Sequence, residues 1–339
     1  MSKNALRHVT RMFTAERIGH LVGIVWLMLL LLAPGEGQSQ AVTFLGSQQT
    51  LPIILNRPWA VTVDAAGNVY TANQGGQVIK LTPDGIQATL ASSLGQLTGI
   101  AVDAQGNVFV SAFDTDSVIE IPVGGGSQFP VIANLNHPYG LAVDGLNNLY
   151  IADSQNHRVL QLPAGGGNAV PVGPGYTTPM GVAVDNSGNL YIADMDSNSI
   201  FKLPVSGGSQ VKVASITSPV SVSVDATNNL YVAQLNTTSV VEILASDKSQ
   251  SAVLGLSQLD WPQSVFVTAA GTLYVADTYN DRVVKLNSKA MDFGAVTVGN
   301  SRPATMSFLF NTSVTLGSIS AETQGTAGLD FQVTAGGTC

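Results

Sequence analysis

The sequence predicts an all-β protein, a six-bladed β-propeller of four-stranded blades. Three observations predict it. A unit of about forty residues recurs six times between Pro58 and Leu286, and a period of that size with several short strands per unit belongs to blades repeated around an axis. Each unit repeats one order of signals: P-x-G-[VIL]-[AS]-V-D, a turn closing on Asn, [LV]-[YF]-[VI]-A-D, a polar loop, then [VI]-x-x-[LI]. The turn position falls at Asp64, Asp103, Asp144, Asp185, Asp225 and Thr268, in steps of 39, 41, 41, 40 and 43 residues.

The elements follow in chain order. Lys3, Arg7, Arg11 and Arg17 flank an apolar run from Leu21 to Ala33, and Ser39-Gln40-Ala41 follows as a small-x-small site. Residues 1–41 therefore read as a cleaved signal peptide, which places the mature chain outside the cell, in a periplasm or at the cell surface. An N-terminal membrane anchor is the alternative, although the run falls short of the roughly twenty apolar residues a spanning helix needs. The segment Leu51 to Leu55 has the character of an outer strand. It is expected to complete the blade begun by the last copy, so that a propeller over 42–288 is closed by its N-terminal strand and hides two open edges.

Within a copy, the first strand alternates small and branched residues, as in Gly140-Leu141-Ala142-Val143. The turn Asp185-Asn186-Ser187-Gly188-Asn189 supplies an Asx-type bond and a positive φ, which is hairpin chemistry. The second strand, Leu190 to Asp194, is aromatic and β-branched. A third (Ser199 to Leu203) and a fourth (Gln210 to Ala214) complete the blade. Further fourth strands are expected near Ile86 to Leu90, Gln128 to Ile132, Ala169 to Val172 and Ser251 to Leu254. The runs Gly124 to Gly126 and Gly165 to Gly167 read as turns between strands, because no helix follows to offer its N-terminus to a phosphate.

These copies resemble NHL repeats, and Ser154-Gln-Asn-His157-Arg158-Val159 is close to the segment that names that family. The resemblance implies a propeller of the kind used both for recognition and by lyases. The second copy departs from the pattern at Leu97 and Ala112 and the fifth at Gln234, so the strand-end Asp set is incomplete. From Met291 onward the repeat register is lost. Residues 289–339 resemble the opening of an immunoglobulin-like module of bacterial surface proteins, a truncated β-sandwich segment about half the length such a domain needs.

Composition narrows the function. The chain of 339 residues has a net charge of −8, with only 14 Lys and Arg, which argues against a nucleic-acid partner because phosphate contacts need basic side chains. Cys339 is the only cysteine, so neither an internal disulfide nor a Cys-based zinc site can form. The first strands, such as Ala60-Val-Thr-Val63 and Gly181-Val-Ala-Val184, contain no Asp, Glu, His or Lys. A calcium-dependent lactone hydrolase of this architecture would need several oxygen ligands near the axis. The turn Asp series reads as turn caps. The strand-end series Asp153, Asp194 and Asp277 reads as paired structural carboxylates.

Besides a purely structural reading, in which the propeller is a spacer in a longer surface protein, two function classes stay open. In the first, the loops entering the first strand and those joining the second to the third form a binding face for a protein, peptide or glycan, without a cofactor. Its residues are Arg57, Trp59, Phe113, His137, Tyr139, Arg158, Tyr176, Met195, Trp261, Tyr279 and Arg282, since aromatic and Arg side chains on polar loops mark recognition surfaces. In the second, the resemblance implies a lyase or lactone hydrolase, with His137 or His157 as acid or base and a divalent ion such as calcium held by loop oxygens. Asn236-Thr-Thr238 and Asn311-Thr-Ser313 match the glycosylation sequon, a short motif that recurs by chance.

Overall fold

The computed structural model describes residues 48–287, apart from 54, 206, 207, 254 and 255, together with the backbone of three short strands, Val25–Met28, Thr43–Leu45 and Met306–Leu309. The export segment expected over 1–41 and the partial sandwich expected over 289–339 otherwise lie outside the described residues.

Six four-stranded antiparallel sheets stand around one axis. Their inner strands are Pro58–Val63, Leu97–Val102, Pro138–Val143, Pro179–Val184, Pro219–Val224 and Pro262–Val267. Each touches the next, and the last touches the first, so the ring is complete. Blade four is typical: Pro179–Val184, Leu190–Asp194, Ser199–Leu203 and Val211–Ser215 pair in sequence order. Its second strand is buried along its whole length, because neighbouring blades cover both faces of the sheet. Such strands read as continuous apolar runs rather than alternating ones.

The core divides into six clusters, one at each seam between blades. Close approach at the seams is possible where the third residue of the inner strand is glycine. A Cβ on Gly99 would sit 2.1 Å from the Tyr139 carbonyl oxygen, and one on Gly140 would sit 2.6 Å from that of Met180. Where serine replaces glycine, its hydroxyl takes over the contact. Ser221 Oγ accepts from the Val265 amide at 3.2 Å, and Ser264 Oγ from the Val61 amide at 3.3 Å.

The outer strand of blade six is Gln49–Thr50, paired with Arg282–Asn287 through Thr50 to Val284 and Gln49 to Lys285. The expected strand at Leu51 to Leu55 is thus displaced. Leu51 adds one bond, donating to the Val283 carbonyl at 2.9 Å. Pro52 has no amide to continue the ladder, and Ile53 instead turns into the seam between blades six and one, beside Val61, Ile79 and Tyr274.

Candidate functional site at the channel mouth

At one end of the ring the second strand runs into a tight turn and the chain of the next blade enters its inner strand. In four of these turns the non-glycine residue directly before the third strand lies in the left-handed region: Asp116 (φ 50°), His157 (56°), Asn198 (50°) and Asp281 (50°). Each reaches across the seam to the next blade. Asp281 Oδ1 accepts the Arg57 amide at 2.7 Å, Asp116 Oδ1 the His137 amide at 2.9 Å, and Asn198 Oδ1 the Ser218 amide at 2.7 Å. His157 bonds the Thr177 carbonyl through Nδ1. A carbonyl only accepts, so Nδ1 is the donor in this contact.

At Arg57, His137 and Ser218 the latch holds the backbone of the receiving residue. Arg57, His137, Ser218 and Trp261 precede the inner-strand proline and hold φ of 49°, 50°, 44° and 57°, a conformation that costs a side-chain-bearing residue roughly 1–2 kcal/mol. Strain of this kind persists where surrounding bonds over-determine it and concentrates at functional sites. Three of the four side chains so placed are Arg, His and Trp.

Two aromatic stacks stand at these positions. The Trp261 and Tyr279 rings lie 4.4 Å apart at 25°, and the Arg57 guanidinium carbon sits 5.2 Å from the Tyr279 centroid. Across the mouth, Phe113 stacks on His137 at 4.1 Å and 11°, and meets Tyr139 edge-on at 5.7 Å. A central cavity of about 310 Å³ runs along the inner strands, and of these ring residues only Tyr139 lines it. The residue after each inner-strand start lines it: Trp59, Thr98, Tyr139, Met180, Val220 and Gln263. Asp185 and Asp225 mark its far end. No Lys, Arg, His or Glu lines it, and burial raises the Tyr139 hydroxyl above its usual value.

The other sequence candidates fall into place around this mouth. Asp153, Asp194 and Asp277 are buried. Asp153 accepts from the Asn136 amide, from Asn156 Nδ2 and from Arg158 Nε at 2.7, 2.9 and 2.7 Å. Asp277 accepts from the Asp260 amide, from Asn280 Nδ2 and from Arg282 Nε at 2.6, 2.9 and 2.6 Å. Asp194 holds the amides of Thr177 and Thr178. Arg158 and Arg282 are therefore committed to neutralising buried carboxylates. Tyr176 points inward: it is 9% exposed and packs at the seam of blades three and four beside Phe201. Met195 packs partly buried against the cluster at blades five and six. Sequence reasoning missed Gln263, whose signal was an amide at a position that is apolar in most other copies.

The turn aspartates at the opposite end are all internally bonded. Asp144 accepts from the Leu146 and Asn148 amides and from Asn148 Nδ2 at 2.9, 2.9 and 2.8 Å. Among the described residues no group of three or more His, Cys, Asp or Glu gathers as a metal site would require.

Residues 135–162 match the family model of the NHL repeat. No curated protein matches the chain. Solved structures do: a gluconolactonase of Xanthomonas campestris at 18% identity and a TM-score of 0.61, covering 73% of this chain and 90% of that one. The virginiamycin B lyase of Staphylococcus aureus aligns at 14% identity and 0.54, covering 71% and 98%. A chain of a nidogen/laminin complex aligns at 21% and 0.54, covering 61% and 84%. At these identities the likeness concerns the fold. The two described histidines, His137 and His157, do not line the cavity of this propeller.

Proposed function

We propose that the chain is an exported, non-enzymatic binding module whose channel mouth engages a protein, peptide or glycan. The observation that carries this reading is the pairing of two preformed aromatic stacks with a cavity free of basic and imidazole side chains. Rings held in place before the partner arrives lower the ordering cost of binding. The signal peptide over 1–41 delivers the propeller outside the cell, and the segment 289–339 continues it as part of an immunoglobulin-like module. The pairing of Gln49–Thr50 with the third strand of blade six holds the ring shut.

The test is an array of extracellular proteins, peptides and polysaccharides probed with the full chain and with Tyr279→Ala and Phe113→Ala. These side chains are surface-placed, so far-UV circular dichroism should match the parent. The reading expects a bound partner whose retention falls at least tenfold in either variant, about 1.4 kcal/mol. Equal retention by both variants would rule out the chosen face. The catalytic alternative, a loop histidine working with a divalent ion, predicts a calcium- or EDTA-dependent shift in melting temperature, whereas the binding reading predicts none.

A further inference from the structure

We propose that the channel mouth takes a neutral saccharide unit, seated on Trp59 and Tyr139 and hydrogen-bonded by Gln263. The inference rests on the binding reading above and names its ligand class. Gln263 is only 6% exposed and lines the cavity. Among the described residues no protein atom hydrogen-bonds its side-chain amide, nor is that amide sealed from the cavity's solvent. A side-chain amide carries two donors and an acceptor, here met by the cavity's solvent, and a ligand that displaced that solvent without replacing its bonds would lose about 1–3 kcal/mol. It is placed to be completed by something inside the cavity.

Its surroundings define that something. On the wall formed by blades five, six and one, the cavity is lined by Thr62, Ser221, Ser223 and Ser264. The three serines each accept a backbone amide from the next blade, so each hydroxyl hydrogen remains to be donated. The opposite wall, from blades two to four, carries Gly99, Ala101, Gly140, Ala142, Gly181 and Ala183 at the same inner-strand positions. The first wall, where Ala60 and Phe266 take the two remaining such positions, thus carries four hydroxyls and the other none at these positions. An apolar ligand would leave the amide and the hydroxyls unpaired, a penalty large enough to set specificity.

A charged ligand is excluded by the same lining. No cation faces the cavity, and the two carboxylates at its far end are bound within their own turns: Asp185 by Ser187 and Asn189, Asp225 by Thr227 and Asn229. An ionised group drawn in would lose hydration without gaining a partner. Trp59 and Tyr139 stay half-buried at the rim, where an aromatic face can receive the C–H face of a pyranose ring. The volume, about 310 Å³, is at the small end of ligand pockets, which run from roughly 300 Å³ upward. It suits one terminal ring rather than a buried polymer.

The experiment is titration calorimetry of the full chain with a panel of neutral oligosaccharides (β-1,4-glucan, β-1,4-N-acetylglucosamine, α-1,4-glucan and β-1,4-galactan fragments) and one acidic control, oligogalacturonate. The expected result is binding of a neutral fragment, unchanged between 50 and 500 mM salt. Gln263→Met, which keeps the side-chain length, should weaken it at least tenfold without moving the melting temperature. Tyr139→Phe, which keeps the ring, should weaken it less than Tyr139→Ala. Binding of oligogalacturonate alone, or of a neutral sugar with Gln263→Met at parental affinity, overturns the proposal. So does silence across the whole panel. If the partner array meanwhile retains a protein or peptide that Tyr279→Ala loses, the binding reading survives and only the saccharide assignment falls.

Discussion

At the scale of the residue, a carboxylate can gather several donors at once, because its two oxygens offer about four acceptor sites. Asp185 uses them on the Ser187 and Asn189 amides, Asn189 Nδ2 and the Tyr191 hydroxyl, at 2.9, 2.9, 2.8 and 3.2 Å. Asn189 then accepts the Val205 amide through Oδ1. One Asp–Asn pair so ties a hairpin, an aromatic ring and the exit of the third strand. Replacing Asn189 by Ala removes the side-chain bonds on both sides and should cost about 1–3 kcal/mol in urea unfolding. Burial pushes the Asp185 carboxyl up, but the bonds from Asn189 and Ser187 and the nearby Lys202 outweigh it and hold it below its ordinary 3.8. Asp64 behaves alike, with Asn68 and Tyr70 as donors. Groups lowered on folding stabilise the native state above their unfolded value and lose that contribution as the pH falls through the folded one. The urea midpoint should therefore be level through neutral pH and decline below about pH 4. A midpoint that rises in acid contradicts the assignment. The turn role of these aspartates was legible in the sequence, because Asp four residues before Asn encodes its own local partner. The latch role of His157 was not, since its partner Thr177 lies twenty residues on, in the next blade.

At the scale of the element, the blade is a unit whose seams are set by one inner-strand position. Gly99→Ala would push a methyl carbon against the Tyr139 carbonyl, whose oxygen and carbon at 2.1 and 3.0 Å are backbone and cannot swing aside. The expected loss is about 1–3 kcal/mol. Gly145→Ala, where nothing lies within 4 Å, is the control and should stay within about 0.5 kcal/mol. Equal effects would show that the seam does not depend on close approach. The first four fourth strands all begin one residue after the sequence placed them, at Gln87, Phe129, Val170 and Val211. Outer strands are half-exposed, and their weak alternation leaves the ends to hydrogen bonding rather than burial.

At the scale of the whole molecule, the six-fold count came from the period, and six seams each carry an apolar cluster. The seam of blades six and one differs from the others in drawing Ile53, Leu51 and Leu55 from the chain ahead of the repeats. Ile53→Ala should lower stability by about 2–4 kcal/mol, measured by urea denaturation, if that plug holds the ring. A neutral effect would separate ring closure from this segment. The gathering of aromatic residues on the loops of the mouth was legible in the sequence. What the sequence could not show is which of them face inward, as Tyr176 does, and which serve buried carboxylates, as Arg158 and Arg282 do. Those outcomes depend on seam geometry between copies, which no single repeat contains.

The three tryptophans of the chain are Trp26, Trp59 and Trp261, and the two in the propeller both stand at the channel mouth. Acrylamide quenching of tryptophan emission in the full chain carrying Trp26→Phe, with and without the partner retained on the array, tests the binding face most directly. Occupancy of the mouth should reduce quenching of both remaining tryptophans, and single Trp59→Phe and Trp261→Phe variants should each show part of the protection. A saturated partner that leaves quenching unchanged would place recognition elsewhere on the propeller.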